Sequence, residues 1–289
     1  MVAISELNTR KKPNWCPGCG DYSILTALKT AIAELGINPK DICLTSGIGC
    51  GSKLPHWINT YGIHTIHGRS LPVATGIHLA NSKLKVISVG GDGDGYGIGL
   101  SHFIHTCRRN IDTVYLVQNN QIYGLTKGQV SPTSDKESKT VSTPFGVIEW
   151  PICPLSLALV SGATFVARGF AGDIKHLTWL IKEALNHSGF GFIDILQPCV
   201  SFNKHNTYQW FQERVYKLED KKHDTSNLNK ALEKAWEWQN ENDKIPIGLF
   251  YRDEKKEHYL DRYEYIKDSS LAEKDISNID IGKIMEDFQ

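Results

Sequence analysis

Apolar residues recur every three or four positions at Ile24, Leu25, Leu28, Ile32 and Leu35, which predicts a helix with Asp21 as N-cap and Gly36 as stop. Asp41 to Ser46 reads as a strand running into the glycine-rich turn Gly47-Ile48-Gly49-Cys50-Gly51. Ile63 to His67 reads as a second short strand, and Leu71 to Asn81 as a helix of small and apolar residues. Leu84 to Val89 is a β-branched strand, followed by a turn over Gly90 to Gly95 and a helix over Gly97 to Arg109. Thr113 to Val117 is a further buried strand, ending at Gln118-Asn119-Asn120.

That β-turn-α-β unit implies a parallel sheet with a right-handed crossover. The alternation continues through a strand over Ala163 to Arg168, a helix over Asp173 to His187 and a strand over Gly191 to Leu196. Between them the polar loop Thr126 to Thr143 is long enough to suggest a function. Beyond about Lys204 the chain becomes charged, with one helix over Asn227 to Gln239 and one apolar run over Ile245 to Tyr251. The expectation is an α/β domain over residues 1–203 and a peripheral extension over 204–289. No internal repeat is evident.

The length of 289 residues suffices for one large domain. Lys plus Arg equals Asp plus Glu at 32 each, so no charge imbalance draws the chain to nucleic acid or to a membrane. No signal segment is visible at the start, and the weakly polar stretch Ile152 to Ala167 is too short to span a bilayer. A cytoplasmic location is expected. Seven cysteines, an odd number in a long chain, argue against a disulfide framework.

Gly91-Asp92-Gly93 sits where a strand gives way to a helix. Glycines there let the backbone approach a ligand, and the free amides of a helix start attract an anion. A carboxylate facing a diphosphate is repulsive unless a divalent cation lies between them. Asn120, 28 residues after Asp92, offers a neutral oxygen from the end of the next strand. Both strand ends fall on the edge of a parallel sheet where ligands bind. Asp92, Asn120 and a backbone carbonyl suit the octahedral oxygen coordination of Mg²⁺ at about 2.0–2.1 Å. The alternative is a solvated Asp in a plain glycine turn. A nicotinamide site is disfavoured, because its acidic residue stands about 20 residues after the glycines, not among them.

Cys16 and Cys19 form a C-x-x-C pair bent by Pro17-Gly18, Cys50 stands in a glycine turn, and Cys199 follows Pro198 at a strand end. By spacing alone these four suit a tetrahedral Zn²⁺ or a 4Fe–4S cluster equally. Cys43, Cys107 and Cys153 lie in apolar or helical settings and read as packing residues.

The stretches WCPGCGD, TSGIGC, HGR-S-LPVATGIHLAN, GGDGDG-YGIG and NNQIYGLTKGQ-SPTS resemble the β subunits of 2-oxoacid:ferredoxin oxidoreductases, within the thiamine-diphosphate enzyme superfamily. The resemblance runs from about Trp15 to Cys199. It implies a pyrophosphate-binding parallel α/β fold, with Asp92, Asn120 and the carbonyl of Ile122 as Mg²⁺ ligands. It also implies a 4Fe–4S cluster on Cys16, Cys19, Cys50 and Cys199. Thiamine diphosphate would be bordered by Ile48, Gly49, Cys50, His67, Gly68, Arg69, Gly91, Asp92, Gly93, Asp94, Asn120, Ile122, Gly124, Leu125 and Thr126, with Lys127 nearby.

The reaction the resemblance implies is oxidative decarboxylation of a 2-oxoacid with coenzyme A to acyl-CoA and CO₂. Electrons would pass through the cluster to ferredoxin or flavodoxin. Pyruvate, 2-oxoglutarate, branched and aryl 2-oxoacids share this scaffold. The Glu that ionises the thiazolium lies on another domain in such enzymes, which implies an α, or fused γ–α, partner subunit carrying the pyrimidine-binding domain. His67, Lys53 and Arg69 are the candidate catalytic residues, for acid–base work and for holding a carboxylate or phosphate, while His56 and His64 read as ordinary polar positions. Two alternatives stay open here: an iron-free thiamine-dependent decarboxylase or carboligase, and a non-catalytic zinc-binding protein.

Overall fold

The structure is a computed structural model that describes residues 2–238, 243–263, 270–277, 280–286 and 288. Its elements in chain order are α1 (Gly20–Leu35), β1 (Ile42–Ser46), β2 (Tyr61–His64), α2 (Ser70–Ala80), β3 (Lys85–Gly91), α3 (Leu100–Arg109) and β4 (Val114–Asn119). A small hairpin of β5 (Ile122–Tyr123) and β6 (Gln129–Val130) follows, then α4 (Pro154–Val160), β7 (Phe165–Phe170), α5 (Ile174–Asn186) and β8 (Gly191–Leu196). The chain ends with α6 (Tyr208–Gln212), β9 (Val215–Lys217), α7 (Leu228–Ala235), β10 (Ile245–Arg252) and α8 (Ile281–Glu286).

Eight strands form one sheet in the order β2-β1-β3-β4-β8-β7-β10-β9. The six strands from β2 to β7 are parallel throughout. Strands β1, β4, β7 and β8 are buried along their whole length, as strands covered on both faces must be. One face is packed by α1 and α5, through Ile24, Leu28, Leu177 and Ile181. The other is packed by α2, α3, α4 and α7, through Leu71, Phe103, Leu155 and Ala231. The result is the expected mostly parallel α/β fold.

Because β1 leads out to β2 on one side and β3 leads to β4 on the other, the strand order reverses between β1 and β3. A crevice opens there at the C-terminal edge, the usual place for a ligand in such a sheet. The turns that empty into it are Gly47 to Gly51 after β1 and Asp92 to Ile98 after β3.

Several boundaries differ from the periodicity reading, each for a local reason. Cys19, not Asp21, takes the N-cap position of α1, because the Pro17-Gly18 turn starts the helix earlier; Gly36 ends it as expected, at φ 67°. Strand β2 stops at His64, and the following turn through Gly68, at φ 73°, carries His67 toward Asp94. Helix α3 starts at Leu100 instead of Gly97, since Gly93–Ile98 forms a wider helical turn closed by the Gly99 N–H on the Asp94 carbonyl.

The segment after residue 203, expected as a peripheral extension, contributes two strands to the main sheet. Strand β10 pairs antiparallel with β7, and β9 pairs with β10. The helix predicted over Asn227 to Gln239 runs Leu228–Ala235, capped by the Asn227 side chain, and Gln239 lies outside the described residues. Its Ala231 and Ala235 pack under α4 with Leu155 and Phe250. Truncating Phe250, fully buried on β10, to Ala is expected to lower the unfolding free energy by about 3–5 kcal/mol. Urea unfolding of the full chain measures it, and a loss below about 1 kcal/mol would make that strand dispensable.

Candidate active site

At the crevice lies a cavity of about 430 Å³. It is lined by Ile48, Gly49 and Cys50, by His67, by Gly91 to Asp94, and by Asn120, Ile122, Gly124, Leu125 and Thr126. Gly51, Tyr123, Gln129 and Val130 also line it and were not among the expected residues. The hairpin explains three of these: β5 and β6 fold back over the crevice, and Tyr123 donates through its hydroxyl to the Gly93 carbonyl at 2.9 Å. A Cβ on Gly93 would stand 2.3 Å from the Tyr123 ring, so glycine is required there by close approach.

Two acids from one turn do different work. Asp92 is 1 % exposed, and burial pushes its carboxyl up to about 6 despite the hydroxyls of Ser131 and Thr133, which donate to its Oδ2 at 2.6 Å each. Among the described residues no side chain donates to Oδ1, and the backbone amides of Asp92 and Gly93 also bond the carboxylate. Asp94 is also raised by burial, and its Oδ1 accepts the N–H groups of Ile48 and Gly68 at 2.8 Å. His67 Nδ1 stands 2.9 Å from the same oxygen. Asp94 therefore ties three loops together and orients the imidazole by one nitrogen. A Cβ on Gly47 would fall 2.0 Å from Asp94 Oδ2, so that turn can close only on glycine.

Asn120 is buried, and its Oδ1 accepts the Ile122 N–H at 3.1 Å, which folds the segment into a tight turn. Gly68 meets Asp94 through its backbone but does not line the cavity. The remaining candidates lie elsewhere. Arg69 turns to the His102 imidazole. Lys53 is half-buried beside the Asp21 carboxylate. Neither lines the cavity. His64 Nδ1 is paired with the Ser46 hydroxyl at 2.8 Å, and its ring lies 5.1 Å from that of His56. Lys127, at φ 79°, is exposed on the hairpin.

The four spaced cysteines meet at the same edge of the sheet. A Cβ on Gly124 would lie 3.6 Å from Cys199 Sγ and 3.7 Å from Cys50 Sγ, so both sulfurs flank the cavity wall. Gly20 N–H reaches the Pro198 carbonyl at 3.4 Å, which joins the C-x-x-C turn to the Cys199 segment. Burial pushes the Cys50 thiol up to about 11 and Cys19 higher, with the Asp21 carboxylate adding to both. Asp21 is fully buried, with no hydrogen-bond partner on either oxygen, and burial raises it to about 7. Its place among the cysteines was missed because residue spacing carries no sign of it. Among the described residues no three His, Cys, Asp or Glu side chains converge tightly enough to hold a metal ion. Cys43 and Cys107 are buried, and Cys153 is half-buried against Ser156.

The buried acid gives this site a pH signature. In the metal-free chain Asp92 keeps its proton up to about pH 6, whereas the unfolded chain releases it near 4. The folded state thus binds more protons between those values, and this contribution to stability falls as pH rises. Buried His187, lowered to about 4, has the opposite slope, so the comparison needs a variant. Asp92→Asn is expected to gain stability relative to the wild type as pH rises from about 4 to about 6, with no further change above. Urea unfolding in chelator across that range checks it, and a flat difference would contradict the burial.

Residues 47–195 match the family model described as the thiamine pyrophosphate enzyme C-terminal TPP-binding domain, and residues 199–268 match the C-terminal part of the pyruvate ferredoxin oxidoreductase β subunit. Among curated relatives, the 2-oxoacid:ferredoxin oxidoreductase 1 β subunit of Aeropyrum pernix is 45 % identical over 90 % of this chain and 84 % of its own. That of Saccharolobus solfataricus is 48 % identical over 86 % of this chain and 85 % of its own. The 2-oxoglutarate synthase subunit KorB of Methanocaldococcus jannaschii is 36 % identical over 92 % of this chain and 97 % of its own. A solved structure of 2-oxoglutarate:ferredoxin oxidoreductase from Magnetococcus marinus, with 2-oxoglutarate, coenzyme A and succinyl-CoA bound, superposes with a TM-score of 0.90 at 38 % identity. It covers 100 % of this chain and 96 % of its own.

Proposed function

For this chain, which belongs to the β subunits of the 2-oxoacid:ferredoxin oxidoreductases, we propose that the cavity binds thiamine diphosphate through Mg²⁺ beside a 4Fe–4S cluster. In this reading the subunit catalyses CoA-dependent oxidative decarboxylation of a 2-oxoacid, and electrons leave through the cluster to ferredoxin. The observation that carries it is Asp92: a carboxylate buried at the sheet's switch point, with no lysine or arginine among the described residues that line its cavity. Such a group stays protonated or takes a metal ion. Only the metal lets a diphosphate lie against it.

The donor set fits. Asp92 Oδ1, the Asn120 side chain and the Ile122 carbonyl are hard oxygens of the kind Mg²⁺ prefers. The amides of the Gly93–Ile98 turn and the glycines on either side of Asp92 leave room for phosphate oxygens. Cys16, Cys19, Cys50 and Cys199 fit a cubane better than zinc. Four sulfurs on one zinc at about 2.3 Å would stand about 3.8 Å apart, whereas each cubane thiolate binds its own iron and stands wider. When bound, thiamine diphosphate supplies the carbon nucleophile for decarboxylation and the cluster supplies a one-electron acceptor.

The chain's own residues position these groups. His67, held through Nδ1 by Asp94, keeps Nε2 to give or take a proton in the cavity. Ile48 and Leu125 line the cavity yet are 37 % and 44 % exposed, and neighbouring Ile98 is 55 % exposed. That open apolar rim supports an α, or fused γ–α, subunit closing over the pyrimidine end and excluding water. No helix among the described residues is long and apolar enough to cross a membrane, and a cytoplasmic complex fits the reading.

Co-expression with the larger subunit under anaerobic conditions, followed by dye reduction with a panel of 2-oxoacids, tests the function. Reduction is expected only when coenzyme A and a 2-oxoacid are both present. Asp92→Ala should lower thiamine diphosphate retention by at least about 100-fold while iron stays bound. Purified complex carrying zinc and no iron, or retaining the cofactor without Asp92, would overturn the reading.

A further inference from the structure

The segment Ser131-Pro132-Thr133-Ser134 lies outside the cavity and has no part in the function as stated so far. All three of its hydroxyl residues are nonetheless buried, at 3 to 5 % exposure, on a connection between β6 and α4. Buried hydroxyls on a loop need partners. Here the partners belong to both segments that bear the proposed metal ligands. Ser131 and Thr133 donate to Asp92 Oδ2 at 2.6 Å, in the short range of charge-assisted hydrogen bonds. Ser134 donates to the Gln121 carbonyl at 2.6 Å, and Gln121 Nε2 donates back to the Thr133 carbonyl at 2.8 Å. The turn itself is closed by the Ser131 N–H on Ser134 Oγ at 2.9 Å. One four-residue turn thus grips Asp92 on one side and the Asn120–Ile122 segment on the other.

We infer that Ser131 and Thr133 are positioning residues that set the site's affinity for its divalent cation by holding Asp92 through Oδ2. A carboxylate bonded twice at one oxygen cannot rotate to chelate through both. Its other oxygen, Oδ1, is presented in a single orientation to the metal. The two donors also spread the negative charge that remains once the ion is bound, and they spare Oδ2 from standing unpaired in a dry interior. Thr133 lies 2.9 Å from Asn119 Oδ1 as well, but its hydroxyl has one proton, and the shorter contact to the charged acceptor takes it. Asn119 is held in turn by Asp194, to which its Nδ2 donates at 3.1 Å.

The inference rests on the Mg²⁺–diphosphate reading of the cavity, and the test separates the two. The full chain is purified with its partner subunit, stripped of divalent ions with chelator, and titrated with Mg²⁺ while thiamine diphosphate binding is followed by calorimetry. Ser131→Ala and Thr133→Val are each expected to raise the Mg²⁺ dissociation constant about 10-fold, and the double variant about 100-fold. Thr133→Ser, which keeps the hydroxyl, should retain wild-type affinity. Metal-free urea midpoints should fall in the three variants that lose a hydroxyl, because each leaves the buried Oδ2 short of a donor, and stay near the wild type in Thr133→Ser. Asp92→Ala is the reference. If Asp92→Ala binds Mg²⁺ like the wild type, the reading of the cavity fails. If it loses binding while the hydroxyl variants bind normally, only the positioning role fails. Failure of Thr133→Ser to retain affinity would make the hydroxyls merely structural and overturn the inference.

Discussion

A carboxylate sealed at the C-terminal edge of a parallel sheet is the constraint around which the site is built. Asp92 is buried on every side, and burial raises its carboxyl to about 6, opposed by the Ser131 and Thr133 hydroxyls and by the backbone amides of Asp92 and Gly93. Beneath it, Asn119 and the Tyr96 hydroxyl bond to Asp194, and Arg168 Nε stands 3.5 Å from that second buried acid. Burial raises Asp194 as well, opposed first by the Arg168 charge. The interior thus holds an acid that has a cation of its own and an acid that lacks one. The proposed divalent ion would supply to Asp92 the positive charge that Arg168 supplies to Asp194.

The same strand order brings the cysteines of the proposed cluster to hand. Strands β1, β3, β4 and β8 are neighbours and parallel, so the turns bearing Cys50, Asp92, Asn120 and Cys199 all emerge on one edge. The C-x-x-C turn joins them because α1 packs against that sheet and hydrogen-bonds to the strand β8 exit. Gly124 stands at the boundary, with two cysteine sulfurs on its outer side and the cavity on its inner one. An electron acceptor held by these sulfurs would lie directly against the cofactor chamber. Short distance between donor and acceptor then follows from topology, not from any special linker.

Much of this was legible in the sequence wherever the signal is local. The alternation of apolar strands and helices, the Gly36 stop, and the strand Gly191–Leu196 all follow from patterns a few residues long. The glycine turns and the Asp92–Asn120 spacing located the cavity for the same reason, since both sit at ends of adjacent strands. Ser131 and Thr133 were invisible in their role, being 39 and 41 residues from the carboxylate they serve. Only folding the hairpin over the crevice brings them back. Lys53 and Arg69 lay near glycine turns in sequence, yet neither lines the cavity, and Arg69 turns to His102 instead. The apolar run Ile245 to Tyr251 marked β10, but β9 lay among charged residues and the pairing of β10 with β7, some 80 residues earlier, carried no local signal.

The account stands or falls on where the cation sits. Crystals of the complex grown with thiamine diphosphate and Mn²⁺ in place of Mg²⁺ would locate it through anomalous scattering. A single peak about 2 Å from the Asp92 and Asn120 side-chain oxygens and from two phosphate oxygens is the expected result. A cofactor bound with no peak between those side chains, or a peak elsewhere in the cavity, would contradict the account.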